Sequence, residues 1–190
     1  MRQGKMAVVL ILTLAAAVGV GTYAQSSQAS TIRISVDSSQ GRSYQQAARG
    51  SWSTIYAGRE VVTDRPIATT KDAALDLQVG SVKLRLLALS IASISELGGT
   101  TERPSLRVAL RAGALELQQP PTAGTETIVH CSFGEITGVG ADFRLDGNRL
   151  RVERGSARVV NSSGSQRTVR AGEELLITPD GFLAQPQRFR

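Results

Sequence analysis

Three glycine-centred signatures follow one another at strand-and-turn spacing in the last third of the chain, and they confine it to short strands joined by tight turns. They are Gly134-Glu135-Ile136-Thr137-Gly138-Val139-Gly140-Ala141-Asp142-Phe143, then Val152-Glu153-Arg154-Gly155-Ser156-Ala157, then Val169-Arg170-Ala171-Gly172-Glu173. In each, a turn-forming glycine separates β-branched or leucine-rich runs, so the segment folds back on itself repeatedly. The same rhythm extends upstream through Ala73-Leu75-Leu77, Val82-Leu84-Leu86, Leu106-Val108-Leu110 and Leu115-Leu117, and recurs at Leu150-Val152 and Leu175-Ile177. From Gly50 onward almost no helix-length window shows a 3.6-residue period. Strand-length runs broken about every 8–12 residues by turn signals predict an all-β domain.

One hairpin can be read in more detail. If Asp146 and Gly147 are its central turn residues, Phe143 faces Leu150 and Asp142 faces Arg151. If Gly147 and Asn148 are central, Phe143 faces Val152 and Arg144 faces Arg151. Either register places Ala141, Phe143, Leu145, Leu150 and Val152 on one face and charged residues on the other.

Elsewhere the pattern is less uniform. Ile32, Ile34 and Val36 alternate as a short strand, while the polar residues 37–49 read as a loop or one short helical turn. Residues 86–97 fit a buried helix as well as a strand; the Ile/Ser alternation favours strand. Residues 98–104 and 118–124 are loops, the second carrying Pro120-Pro121, which a central strand excludes. That second loop could divide the domain into halves sharing one core.

The N-terminus supplies an address. Arg2 and Lys5 precede the apolar residues 6–20, and small residues follow, with cleavage expected after Ala24 or Ala29. The apolar core is shorter than the ~20 residues of a spanning helix, although a retained anchor is the competing reading. Export with a single cysteine, Cys131, leaves no intramolecular disulfide and no cysteine-based metal site. About 160 residues bury roughly two-thirds of their unfolded surface, enough for one core held by burial alone. The net charge of +6, or +4 without Arg2 and Lys5, falls short of a nucleic-acid footprint.

From Gly50 to Gly181 the chain resembles the FecR-type periplasmic domain of ferric-citrate regulators. Trp52, Gly58 and Ile67-Ala68-Thr69 stand where that family has a tryptophan, a glycine turn and a strand ending in threonine. Ala73-Ala74-Leu75-Asp76-Leu77 with the Gly80-Ser81 turn follows, and residues 110–115 around Gly113 are similar to the family's central turn. The later match rests on Gly134, Gly140, Phe143, Gly155, Gly172 and Glu173. Alanine stands at 141 where the family has threonine, Arg154 separates its glutamate-glycine pair, and Cys131-Ser132 replaces threonine-proline. The resemblance implies a structural role for these positions and a periplasmic or cell-envelope location. It does not carry over a transmembrane signalling role, because only residues 1–5 would be cytoplasmic.

The candidate sites are few. His130 and Cys131 are adjacent, so in one strand they point to opposite faces and cannot form a thiolate–imidazole pair. A structural cysteine and an edge histidine are the ordinary reading. Trp52 and Tyr56 share a face if extended and would suit sugar stacking, although scarce aromatics more often fill a core or interface. Asp142, Asp146 and Asp180 lack calcium-loop spacing, and two of them precede turn glycines. Arg144, Arg149, Arg151, Arg154 and Arg158 form a dense run, read as a solvated face paired with Asp142 and Glu153. The sharper reading makes Arg144, Arg149 and Arg151 a docking patch for acidic partners or anionic glycans.

The sequence therefore predicts a flattened two-sheet β-roll or short solenoid-like sandwich after an N-terminal signal helix. Its parts are residues 1–24 as signal peptide, 25–49 as polar spacer with a short strand, 50–184 as the domain and 185–190 as tail. The expected role is a non-catalytic binding or interaction module without cofactor, exported to periplasm or envelope, whose partner is an envelope protein or glycan. Alternatives are a membrane-anchored sensory accessory, if the helix is retained, or an envelope enzyme acting on glycan.

Overall fold

The computed structural model describes residues 32–100, 102–121, 126–178 and 180–189. The expected signal segment and its cleavage positions lie outside them. The described chain is all-β and contains no helix. Its first strands are β1 (Ile34–Gln40), β2 (Ser43–Gln46), β3 (Trp52–Ile55), β4 (Glu60–Val61) and β5 (Ile67–Thr69). Next come β6 (Ala74–Val79), β7 (Val82–Leu86), β8 (Ile91–Gly99), β9 (Pro104–Ala112), β10 (Ala114–Gln118) and β11 (Glu126–Cys131). The last are β12 (Gly134–Asp146), β13 (Arg149–Asn161), β14 (Gln166–Arg170), β15 (Glu173–Leu176) and β16 (Gln187–Arg188).

These strands form one sheet that curls into two arms, because β12 and β13 belong to both. The first half of β12 pairs with β11 and its second half with β10, while β13 runs alongside throughout. β13 carries β14 beside its second half and β15 beside its first. One arm continues through β9, β8, β5, β2 and β3; the other continues through β7, β6, β1 and β4. Successive strands step back and forth between the arms, which gives the roll its solenoid-like character. One contact is parallel, between β9 and β11.

The bend has a local cause. The β12–β13 register shifts between Val139 and Phe143, inserting extra residues that kink the pair. Gly155 lies there at φ 73°, and a Cβ on it would stand 2.8 Å from the Gly140 carbonyl oxygen. Only bare backbone allows the two strands to approach so closely. Gln119, immediately after β10 and 1% exposed, stitches the bend together. Its side-chain oxygen accepts the Ala141 N–H at 2.9 Å and its amide donates to Thr127 Oγ1. Its own N–H donates to Asp142 Oδ1 at 2.9 Å.

Alternation along each strand then decides what is buried. In β6 every second residue is inward, giving Leu75, Leu77 and Val79; in β7 the inward set is Val82, Leu84 and Leu86. These meet Ile67, Ile94, Leu106, Val108 and Ile136 of the other arm in a single core. Each fully buried aliphatic side chain contributes about 1.5–3 kcal/mol. Thr69 and Ser90 enter the core as a satisfied pair: Ser90 N–H donates to Thr69 Oγ1, and the Ser90 hydroxyl bonds Ala114 O.

Several expectations are corrected. Residues 37–49 hold the end of β1 and all of β2, with no helical turn. Both strands lie in the expected spacer yet pair with β4, β6, β3 and β5, so the spacer is part of the sheet. Residues 86–97 divide into the end of β7, a turn at 87–90 and the start of β8. Loop 118–124 does not separate two halves: β10 and β11 on either side of it flank the same strand, β12. Trp52 and Tyr56 are 46% and 60% exposed, so neither fills the core.

Candidate functional site

The hairpin register is the second of the two open at the sequence level, with Phe143 opposite Val152 and Arg144 opposite Arg151. Phe143 is 2% exposed, and Ala141, Leu145, Leu150 and Val152 are fully buried beside it. The arginines therefore stand on the outer face. There they join a row that crosses eight strands, one residue from each. It runs Ser38, Asp76, Arg85, Glu116, Arg144, Arg151, Glu174, Gln187.

Directly opposed side chains interact across a sheet, and here the charges alternate. Arg85 Nε lies 3.5 Å from Asp76 Oδ1, and Arg144 Nη1 lies 3.0 Å from Glu116 Oε1. The other Arg144 nitrogen reaches Asp146 Oδ2 at 3.1 Å. Arg151 Nε donates to Glu174 Oε2 at 2.9 Å, and its guanidinium lies over the Phe189 ring, 5.5 Å from the centroid. The alternation breaks at one seam, where Arg144 and Arg151 face each other. Arg144 turns to Glu116 on the far strand and to Asp146 on its own, and Arg151 turns to Glu174 on the far strand. Arg149 faces Asp146 across the hairpin and is exposed, while that carboxylate is held by Arg144. Glu116, Arg144, Arg149, Arg151, Glu153 and Phe189 bound a shallow depression of about 350 Å³.

The expected pairing of the arginine run is thus redistributed. Arg154 does pair with Asp142, at 3.0 Å, and also bonds the Gln119 carbonyl. Arg144 and Arg151 use Glu116, Asp146 and Glu174 instead of Glu153. Glu116 and Glu174 escaped the sequence reading because the pairs span 28 and 23 residues. Only the strand order brings them together. Phe189, close to the end of the chain, gave no signal of its own.

The remaining singled-out residues are scattered. Gly58, Gly80, Gly113 and Gly172 sit in or beside turns, and Gly134 opens β12. Glu173 opens β15 and accepts the Arg170 N–H at 2.8 Å. Trp52 stands at the far edge strand, β3, in the other arm. His130 Nε2 is 3.1 Å from Arg107 Nη1, and its Nδ1 is 3.6 Å from Glu135 Oε2. Cys131 is half-buried, with its sulfur 3.4 Å from the Gly134 carbonyl oxygen. Burial pushes its pKa up to about 12, which leaves the thiol protonated. Asp142, Asp146 and Asp180 do not converge: Asp142 serves the bend, Asp146 the ladder, and Asp180 a turn. The Thr178 hydroxyl holds Asp180 below the usual carboxylate range.

No family model matches the chain, and no curated protein matches it. Two solved structures do resemble it, crystal structures at 1.65 and 2.50 Å of a putative anti-sigma factor from Parabacteroides distasonis. Identity is 13% in both, with TM-scores of 0.52 and 0.54. The fold is shared with that protein. The match covers 65% of this chain and 59% of the Parabacteroides chain, so the likeness extends over little more than half of that protein.

Proposed function

We propose that this chain is an exported, non-catalytic FecR-like binding module of the periplasm or cell envelope, and that the arginine seam is its docking surface. The observation that carries the reading is the break in the charge ladder. At Arg144 and Arg151 two cations oppose each other, with Arg149 beside them and its facing carboxylate already engaged. An acidic partner placing carboxylates over this seam relieves a like-charge contact and finds guanidinium groups suited to bidentate bonding. The fold shared with the Parabacteroides protein supports a second reading, in which the module serves a sensory or regulatory assembly; a membrane-anchored form of it would keep the N-terminal segment uncleaved.

The test is a pull-down from envelope extracts with the parent and with an Arg144→Ser, Arg149→Ser, Arg151→Ser variant. The variant is expected to melt close to the parent, since exposed ion pairs contribute about 0–1 kcal/mol each. It is also expected to lose the parent's partner, and salt should weaken the parent's complex. A folded triple variant that keeps every partner at unchanged affinity removes the seam from consideration. Mature-mass measurement on soluble and membrane fractions separates the cleaved from the anchored form.

A further inference from the structure

The face formed by β2 and β3, at the far edge of the other arm, carries a different chemistry. Ile55 is buried, so the alternation of β3 turns Trp52 and Thr54 outward, and Tyr56 continues the same face. On β2, Ser43 and Gln45 are inward, which turns Tyr44 and Gln46 outward. The register sets Tyr44 opposite Thr54 and Gln46 opposite Trp52. Tyr44 is therefore the diagonal neighbour of Trp52, at about 7–8 Å, and borders one cleft with Tyr56. The chain's one tryptophan and both of its described tyrosines thus share one face, in a protein with only 4% aromatic residues.

Large exposed rings gathered in one place mark an interaction surface. We infer that this face binds carbohydrate, with the aromatic rings stacking on the sugar rings. Its composition favours that ligand over a protein partner. The rings are interleaved with Thr54 and Gln46, so there is no continuous aliphatic strip for an apolar helix or strand to cover. A sugar presents the matching alternation, apolar C–H faces rimmed by hydroxyl groups. Beside the rings lies an open cleft of about 410 Å³, bordered by Tyr44, Thr54 and Tyr56 together with Ser39 and Arg42. Hydroxyl and guanidinium groups there suit sugar hydroxyls, and no carboxylate lines the cleft. The site is separate from the arginine seam, which lies on the outer face of the opposite arm.

Trp52 is the only tryptophan, so intrinsic tryptophan emission reports on this face alone. The full chain is titrated to about 10 mM with cellotetraose, maltotetraose, mannotetraose, chitotetraose and peptidoglycan glycan strands, a range covering weak single-site binding. A saturable blue shift with at least one of these is expected. Tyr44→Ala and Tyr56→Ala, which keep the reporter, should each weaken that binding by roughly tenfold or more, the change that one lost stacking contact gives. Both should melt as the parent does, and the triple arginine variant should bind sugar normally. No saturable response to any of the glycans overturns the inference, as does binding that survives in a folded Tyr44→Ala, Tyr56→Ala double variant.

Discussion

At the scale of single residues, the same strand geometry gives two neighbouring kinds of side chain opposite fates. Phe143 faces Val152 and Leu117 on the two flanking strands and is 2% exposed. Phe143→Ala removes a buried ring and leaves a cavity, so it should cost about 3–5 kcal/mol, read as a lowered denaturant midpoint at unchanged m-value. Cys131 differs, because its environment suppresses a reactive group. With the thiol raised from an ordinary 9.0 to about 12, alkylation of the native protein near neutral pH should be at least about a hundredfold slower than that of the denatured chain. The sign for stability follows from proton binding: above pH 9 the unfolded chain loses the thiol proton while the folded one keeps it. Stability from this group is full below that pH and falls between 9 and 12. Cys131→Ser should flatten that part of the pH–stability curve, and an unchanged slope would assign it to other groups.

At the scale of elements, the β12–β13 hairpin decides the architecture, and its bend is the vulnerable point. Gly155 and Gly172 both have positive φ, 73° and 80°, so alanine strains the backbone at either. Only at Gly155 does the added carbon meet backbone, 2.8 Å from the Gly140 oxygen; at Gly172 nothing lies within 4 Å. Gly172→Ala should cost about 1–2 kcal/mol, the penalty for the left-handed conformation. Gly155→Ala should cost clearly more, and paired thermal melts of the two variants check the difference. Equal costs would mean that the bend tolerates a wider strand separation. The charge ladder belongs to this scale too. It exists because eight strands stand in register, and apart from Asp76–Arg85, Arg144–Asp146 and Arg144–Arg151 its pairs join residues distant in sequence.

At the scale of the whole molecule, the stepping of the chain between arms ties the N-terminal strands into both. β1 pairs with β4 and β6 in one arm, and β2 pairs with β3 and β5 in the other. A chain lacking residues 32–49 should therefore lose cooperative unfolding, since deletion exposes Leu75, Leu77 and Ile67 and strips both arms of a strand. A truncated chain starting at Gly50 that melts as sharply as the parent would restore the sequence-based boundary. The sequence-based start at Gly50 has a physical origin. Polar β2 buries only Ser43 and Gln45 and makes its contribution through backbone pairing, which leaves no hydrophobic period to read.

The sequence alone determined the all-β class, the runs that form β6, β7, β9, β10, β12, β13 and β15, and the face assignment of the hairpin. Those follow from the two-residue period of a half-buried strand and from glycine at turns, both local properties. It left the hairpin register open, because Asp146-Gly147 and Gly147-Asn148 are both acceptable turn centres. Tertiary structure decided the rest. The parallel β9–β11 contact and the ladder from Ser38 to Gln187 both depend on which strands, distant in sequence, lie side by side. That order is set by burial of a common core, which rewards any inward leucine alike and writes no partner's identity into a single strand.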